Sequence, residues 1–240
     1  MHSPIEQFQI KPLIALHVGG HDLAFSNSSL WMVVALLVLM AFFVAATAKA
    51  AVVPGRLQST AELAYEFIAG MVRDNVGEAG KPFFPFVFTI FTFILAGNLL
   101  GMVPYSFTFT SHIIVTFSLA IVTFLGVTLV GLVLHGLHFF SFFVPKGVPV
   151  FMLPLMVVIE VLSYLTRPIS LSVRLFANMM AGHTMLKVFA SFTIMLGIFG
   201  VAPIAINVAL TGFEILVALL QAYVFAVLTC IYLNDAIHLH

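Results

Sequence analysis

The chain has 240 residues, of which 62% are hydrophobic and 8% are charged, and its formal net charge is zero. Soluble domains carry about 25% charged residues, so the composition excludes an ordinary soluble domain, and the neutral balance gives no support to nucleic-acid binding. Charged residues leave long gaps at 82–145, 188–213 and 215–234. Because a membrane-spanning helix needs about 20 mostly apolar residues, the sequence predicts an all-α polytopic membrane protein.

The predicted elements form one membrane domain over residues 1–240, with about five spans and one helix on the membrane surface. Residues 1–28 mix polar and apolar side chains around Gly19 and Gly20, so we expect a segment outside the membrane there. The elements that follow are, in chain order, a span at 29–48, a surface helix at 55–80, spans at 83–103 and 111–138, and two long apolar helices at 151–196 and 203–233.

The segment 55–80 differs from the spans because charged side chains lie among its apolar ones. Its apolar residues recur at helical spacing: Leu57, Leu63, Phe67, Ile68, Met71 and Val72. Its charged residues lie between them: Glu62, Glu66, Arg73 and Asp74. This pattern predicts an amphipathic helix that lies along the membrane surface instead of crossing it.

The distribution of lysine and arginine predicts the orientation in the membrane. Four of these residues lie between 49 and 81, the connection 139–149 holds Lys146, and the connections 104–110 and 197–202 hold none. Under the positive-inside rule the basic connections face the cytoplasm. We therefore expect the N-terminus outside and the C-terminus inside.

Arg174 is the most informative single residue, because it lies inside a long apolar helix. Arginine keeps its proton in proteins, and a fixed charge at the bilayer centre costs about 3 kcal/mol on insertion scales. Such a group must face protein, water or a counter-charge. An intramembrane arginine is therefore a functional-site hypothesis by default.

The two long helices carry further polar residues at matching depths. At about 1.5 Å per residue, His183 lies about 13 Å outward of Arg174, and Glu214 lies about 10 Å outward of Gln221 on the antiparallel helix. If Arg174 and Gln221 share a depth, His183 and Glu214 meet near the outer side. Glu160 lies about 21 Å inward of Arg174 by the same rise.

Carboxylate and histidine side chains in membranes are the usual material of proton relays. Histidine titrates near physiological pH, with a reference pKa of about 6.5. A guanidinium that keeps its own proton blocks a direct route between two such paths. The residues therefore predict an outer proton path at His183 and Glu214, an inner path at Glu160, and Arg174 as the barrier between them.

Each of these side chains also has a structural interpretation. Arg174 could be an ion-pair partner within the bundle, and Glu160 could be a solvated helix end. His183 and Glu214 could form a hydrogen-bonded pair that only orients their helices. Gln221 could serve as a hydrogen bond between helices.

The remaining polar residues favour structural roles. We expect Arg167 either to pack near Pro168 or to reach the polar headgroups, and Lys187 to be an anchor at the outer side, as long basic side chains are near the membrane surface. His135 and His138 have a metal-like spacing, but they lie at a helix end beside aromatic residues, where interfacial histidines are more common than ligands. We therefore predict no resident metal or cofactor.

At these residues the chain resembles the a subunit of F-type ATP synthases, the ion-conducting stator of the membrane sector. The resemblance covers nearly the whole chain and is strongest at residues 170–183 (SLSVRLFANMMAGH) and 221–225 (QAYVF). Residues 98–105 (NLLGMVPY) and 231–235 (IYLND) support it. The order of His183 and Glu214 is that of mitochondrial and alphaproteobacterial members, whereas many bacterial members carry the two residue types in the opposite order.

The resemblance implies a stator that packs against a rotating ring of c subunits. The partners it implies are the c ring, b-type peripheral stalk subunits and the rest of the F1F0 complex, in the lipid bilayer of a bacterial inner membrane or, alternatively, the mitochondrial inner membrane. It also implies that the last two helices form a long tilted hairpin beside the ring. Arg174 would face the ion-binding carboxylates of the ring, with Gln221 and Asn178 close to it.

The mechanism that follows moves protons without covalent chemistry in this chain. Protons would enter an outer half-channel lined by His183, Glu214 and Asn178 and load a ring carboxylate. After rotation the site would return to Arg174, whose charge would lower the pKa of the ring carboxyl. The proton would then leave by an inner half-channel near Glu160.

Two other classes of function compete with this interpretation. One is a proton-translocating subunit of another membrane complex or a secondary transporter, although transporters often show inverted repeats and broken helices. The other is a membrane scaffold without transport. A scaffold would leave Arg174, Glu160 and the His183–Glu214 pair without a purpose.

Overall fold

The computed structural model describes residues 8–18, 21–48, 50–103, 106–144 and 151–238. Its helices are α1 (Asn27–Thr47), α2 (Arg56–Val76), α3 (Phe84–Gly101), α4 (Ile113–His135), α5 (Leu153–Leu196) and α6 (Val201–Ile237). Two strands, β1 (Pro12–Val18) and β2 (His21–Ser26), precede them. Some residues on which the predictions rest lie outside the described residues. They are Gly19 and Gly20 of the N-terminal segment, Lys49 and Lys146 of the basic connections, and Pro104 and Tyr105 of the motif at 98–105.

Within the described residues, five helical segments are long and apolar enough to cross a membrane, which confirms the predicted fold class. They are Asn27–Thr47, Glu78–Gly101, Ile113–Phe143, Leu153–Leu196 and Val201–Ile237, where the second and third include short 3₁₀ turns. The last two contain 44 and 37 residues. A helix of 44 residues is about 66 Å long, whereas the hydrocarbon core is about 30 Å thick, so α5 does not fit upright in a bilayer.

Helix α2 does not qualify as a span, and its charged residues explain why. Glu62, Glu66, Arg73 and Asp74 are all exposed. On the other face Ile68, Met71, Val72 and Val76 are buried against the bundle. Of the predicted apolar face, Leu57, Leu63 and Phe67 remain exposed, so the helix is anchored to the protein by its second half.

Local sequence signals set several helix ends. Ser26 caps α1, because its side chain accepts a hydrogen bond from the Ser29 backbone N–H. Prolines lie in the first turns of α3 and α5, where the missing N–H has no helical partner anyway. Gly77 ends α2 with a φ of 78°, which is a left-handed conformation that glycine adopts without steric cost.

The N-terminal hairpin is a feature that the sequence pattern did not predict. Strands β1 and β2 pair antiparallel, with Ala15 opposite Ala24 and His17 opposite Asp22. The pairing shifts between Pro12 and Ile14, next to a residue that has no backbone N–H to donate. The two strands are neighbours in the chain and can pair without a long apolar run. The apolar runs that predict the membrane spans therefore do not predict this hairpin.

Helix α6 forms the centre of the bundle and packs against α2, α3, α4 and α5. Its inner face repeats every four residues as Ala218, Ala222, Ala226 and Cys230, all fully buried. Residues four apart lie on one helix face, and small side chains there let neighbouring helices approach closely. This close approach brings polar groups of α3 and α5 to the face of α6.

The connection between α3 and α4 folds inward instead of extending over the surface. Phe107 and Phe109 are buried with Ala35 of α1 and Val115 of α4 in a second apolar cluster. The residues next to them are polar and equally buried: Thr108, Thr110 and Ser111. This inward fold places hydroxyl groups beside α5.

Candidate functional site

His183 of α5 and Glu214 of α6 are in direct contact. The His183 Nδ1 atom hydrogen-bonds the Glu214 Oε1 atom, and both side chains are buried, at 9% and 3% exposure. The pairing that we expected across the antiparallel helices is therefore present in the structure. A side chain at Gly182 would place its Cβ 2.7 Å from Glu214 Oε1, so the contact depends on a glycine at this position.

The second ring nitrogen of His183 is also engaged. The Nε2 atom lies 2.7 Å from the Thr108 hydroxyl and 3.0 Å from the Gly101 carbonyl oxygen. The Thr108 hydroxyl lies 3.2 Å from the same carbonyl. A Cβ at Gly101 would be 2.6 Å from the Thr108 hydroxyl oxygen, so this close cluster also requires a residue without a side chain.

Asn178, Glu214 and Gln221 line a common cavity of about 360 Å³ between α5 and α6. The rest of its wall is mainly apolar: Ala181, Met185, Leu210, Phe213, Val217 and Leu220. Among the described residues, the Glu214 Oε2 atom is buried without a hydrogen-bond partner. Three of the predicted site residues thus border one space, where a few polar groups interrupt an otherwise apolar surface.

Arg174 lies exposed on the outward face of α5, away from the core residues Leu171, Ser172 and Leu175. The structure shows it with no hydrogen bond or ion pair to any residue in the described part of the chain. It therefore has no counter-charge among the described residues. The interpretation of Arg174 as an internal ion-pair partner does not agree with this geometry.

Glu160 lies on α5 and is half-buried, far from the His183–Glu214 pair. Fourteen residues separate it from Arg174, which is about 21 Å along the helix axis. The structure thus joins His183 to Glu214 and brings Asn178 and Gln221 to the cavity that Glu214 borders. Arg174 and Glu160 are not among the residues that line this cavity.

Arg167 makes contacts that the sequence analysis missed. Its Nη1 atom lies 3.0 Å from Asp235 Oδ2 of α6. The guanidinium carbon lies over the rings of Tyr232, Tyr164 and Phe142, at 4.8, 5.3 and 5.7 Å from their centroids. Arg167 is therefore held against the protein, so of the two expected positions the one at the headgroups does not agree with the structure, and the contacts with Asp235 and the aromatic rings were not expected.

Hydrogen bonds between helices fix the positions of α3 and α4 against the long pair. Asn98 of α3 donates its side-chain N–H to the Ala218 carbonyl of α6 at 3.1 Å. The Thr116 and Ser172 hydroxyls join α4 to α5 at 3.2 Å. Polar side chains in long apolar helices are a usable sequence signal for such contacts, but the signal does not identify the partner.

Comparison with known proteins places the chain in a family. The family described as ATP synthase A chain matches residues 29–234. ATP synthase subunit a of Rhodospirillum rubrum is 56% identical over 241 residues and is covered completely, as is this chain. The subunit a proteins of Parvibaculum lavamentivorans and Mesorhizobium japonicum are 56% and 57% identical over 98% of this chain, with 94% and 96% of their own lengths covered. The resemblance seen at the arginine and glutamine motifs is thereby confirmed, and the chain belongs to the ATP synthase subunit a family.

Proposed function

We propose that this chain is the proton-conducting stator of an F-type ATP synthase in a bacterial inner membrane. Its partners are a ring of c subunits, b-type stalk subunits and the rest of the F1F0 complex. Family membership supports the assembly, since the relatives are named as subunits of ATP synthase. The observation that carries the mechanism is the exposed Arg174 on an apolar helix face.

Arg174 needs a partner from outside this chain. A guanidinium that faces lipid costs several kcal/mol, and the neighbouring exposed residues, such as Val173, offer it no charge. A carboxylate carried past by a ring satisfies the arginine at each step. The positive charge also favours the ionised form of that carboxyl, so a proton arriving on the ring is released there.

The outer half-channel is the path from His183 and Glu214 along the cavity. The proton shared by the His183 Nδ1 and Glu214 Oε1 atoms lies at the buried end of this path. Asn178 and Gln221 border the cavity together with Glu214. They supply uncharged polar groups along the helices between Glu214 and the level of Arg174. A proton loaded here reaches an empty ring carboxylate before that site moves into the lipid.

The inner half-channel begins at Glu160. About 21 Å of helix lies between this carboxyl and Arg174, so the two half-channels are offset along the axis of α5. Arg174 separates them because a proton cannot pass through a group that keeps its own. Each proton that crosses down the membrane potential releases about 2.3 kcal/mol of free energy per 100 mV. Rotation of the ring delivers this energy to the soluble subunits.

ATP-driven proton pumping in inverted membrane vesicles tests this proposal. With Arg174→Ala we expect pumping to be lost while the complex stays assembled, and passive proton leak to rise in the same membranes. Arg56→Ala is the matched control, because Arg56 is an exposed arginine on the surface helix α2. Normal pumping without Arg174 would overturn the mechanism and return this residue to a structural role.

Co-purification separates the stator from the competing functions. A stator should be isolated together with a c ring, stalk subunits and a soluble ATPase. A secondary transporter binds its own substrate and needs none of them. Isolation of a transport-competent chain without these partners would contradict the proposal.

A further inference from the structure

We propose that Thr108 is a positioning residue for His183, which holds the imidazole so that Nδ1 is the atom that exchanges a proton with Glu214. This proposal deepens the proposed function and rests on it. It assigns a role in proton conduction to the connection between α3 and α4, a part of the chain that the site residues on α5 and α6 do not include.

The first argument is the hydrogen-bond chemistry around Nε2. A backbone carbonyl can only accept a hydrogen bond, whereas a threonine hydroxyl both donates and accepts. With the proton on Nε2, that atom donates to the Thr108 hydroxyl at 2.7 Å and to the Gly101 carbonyl at 3.0 Å. The hydroxyl proton of Thr108 then points to the same carbonyl at 3.2 Å. Every polar atom in the cluster is satisfied in this arrangement.

The opposite assignment leaves two acceptors facing each other. If Nε2 carried no proton, the Thr108 hydroxyl could donate to it, but Nε2 would then face the Gly101 carbonyl oxygen at 3.0 Å with no proton between the two acceptors. The carbonyl would keep only the Ser106 hydroxyl as a donor, at 3.0 Å. The hydrogen bond at one ring nitrogen determines which nitrogen is protonated. The Nε2 cluster therefore leaves Nδ1 as the atom that gains and loses a proton.

The proton balance of the pair follows directly. One proton lies between His183 Nδ1 and Glu214 Oε1. When Nδ1 holds it, the pair is an imidazolium and a carboxylate; when Oε1 holds it, the pair is a neutral ring and a neutral acid. The transfer breaks one bond to hydrogen and forms another, and Nε2 keeps its proton throughout. Thr108 and Gly101 serve both states without any movement of heavy atoms.

The second argument is the way in which the connection is built. Loops usually run over the surface, because buried backbone groups need hydrogen-bond partners. Here Thr108 is 5% exposed and its neighbour Phe109 is 1% exposed. The Ser111 hydroxyl donates to the Thr108 backbone carbonyl at 2.6 Å. Burial and this internal hydrogen bond hold the Thr108 hydroxyl at a defined place beside α5.

The test compares three substitutions in the assembled F1F0 complex in inverted vesicles. Thr108→Val keeps the shape of the side chain and removes its hydroxyl. We expect the rate of ATP-driven proton pumping to fall about 10-fold, the scale seen when a hydrogen bond that orients a functional histidine is lost. Thr108→Ser restores the hydroxyl and should recover most of the rate. A purely structural role for the side-chain volume would not give this recovery.

Thr110→Val is the matched control. Thr110 is fully buried in the same connection, and among the described residues its hydroxyl has no hydrogen-bond partner. We expect this variant to pump at the wild-type rate. If Thr108→Val does not assemble, Thr108→Ala removes the same hydroxyl with less bulk, and the same loss is expected.

Three results would overturn the role of Thr108: wild-type pumping in the assembled Thr108→Val or Thr108→Ala complex, an equal loss in Thr110→Val, or a Thr108→Ser rate no better than that of Thr108→Val. Arg174→Ala, measured in the same membranes, separates this failure from that of the proposed function. Lost pumping in Arg174→Ala together with wild-type pumping in Thr108→Val rejects only the positioning role. Normal pumping in Arg174→Ala rejects the proposed function itself.

Discussion

Arg167 and Asp235 join the two long helices by an ion pair of 3.0 Å between the guanidinium Nη1 and the carboxylate Oδ2. The two side chains are 17% and 27% exposed, and three aromatic rings surround the guanidinium. Arg167 precedes Arg174 by seven residues, or two helical turns. The ion pair therefore joins α5 to α6 two helical turns from Arg174.

Removal of one member of this ion pair should destabilise the subunit. Arg167→Leu leaves Asp235 partly buried without its counter-charge, which costs more than the pair itself contributes. We expect less assembled complex in the membrane and a lower temperature of detergent-induced dissociation. The Asp235→Leu variant should show a loss in the same direction.

The double variant is the control for the ion pair. Arg167→Leu combined with Asp235→Leu leaves no unpaired charge, so it should assemble better than Arg167→Leu alone. Residues in direct contact show coupling of about 0.5–3 kcal/mol in double-mutant cycles. Strictly additive losses would show that the two side chains act independently.

Exchange of the two outer residues should preserve part of the function. His183→Glu alone places two carboxyls side by side, and Glu214→His alone places two imidazoles together, so each single variant should pump slowly. The double exchange restores an acid and an imidazole at the same contact. Pumping rates in inverted vesicles should rank the double variant above both single variants.

The exchange prediction has a clear point of failure. Both ring nitrogens of His183 are engaged, one by Glu214 and the other by Thr108 and Gly101. An imidazole at position 214 keeps only the first of these contacts. A double variant no faster than either single variant would mean that the acid–imidazole contact alone does not support conduction.

Gly182→Ala should impair conduction by acting on Glu214. The new Cβ would lie 2.7 Å from Glu214 Oε1, so the carboxylate must move away from His183 Nδ1. We expect a fall in pumping of about 10-fold, the scale seen when an orienting contact is disturbed. The complex should remain assembled, because only the end of one side chain has to move.

Gly70→Ala is the matched control for this substitution. Gly70 lies inside helix α2, and a Cβ there meets no atom within 4 Å. Alanine is about 1 kcal/mol more favourable than glycine in a helix interior, so this variant should assemble and pump normally. Equal losses in the two variants would indicate a general intolerance of the chain and not an effect at Glu214.

Much of the fold follows from composition alone. A backbone in lipid must satisfy its own hydrogen bonds, so a long apolar run can only be a helix. That rule predicts α1, α3, α4, α5 and α6 without any knowledge of their contacts. The same reasoning predicts from its charged residues that α2 does not cross the membrane, and α2 is not among the five candidate spans. The hairpin before α1 escaped prediction, because it lies outside the segments to which the rule applies.

The candidate site divides in a similar way. Arg174, His183, Glu214 and Glu160 stand out because charged and titratable groups are costly in apolar helices. Antiparallel spacing paired His183 with Glu214 once Arg174 and Gln221 were assumed to share a depth. Thr108 carries no charge and lies 75 residues from His183, so nothing in the sequence distinguishes its hydroxyl from those of other threonines.

The sequence by itself determined which segments enter the membrane and which side chains are too costly to lie there without a function. Both features depend on the free energy of transfer from water to lipid. This free energy is a property of the residue type and can be read without knowledge of tertiary contacts. Only the tertiary structure decided which partners those side chains have. Arg167 meets Asp235 across 68 residues, His183 meets Thr108, and Arg174 makes no hydrogen bond or ion pair in the described part of the chain. Such contacts depend on helix packing, which small residues such as Ala218 and Ala222 permit but do not specify.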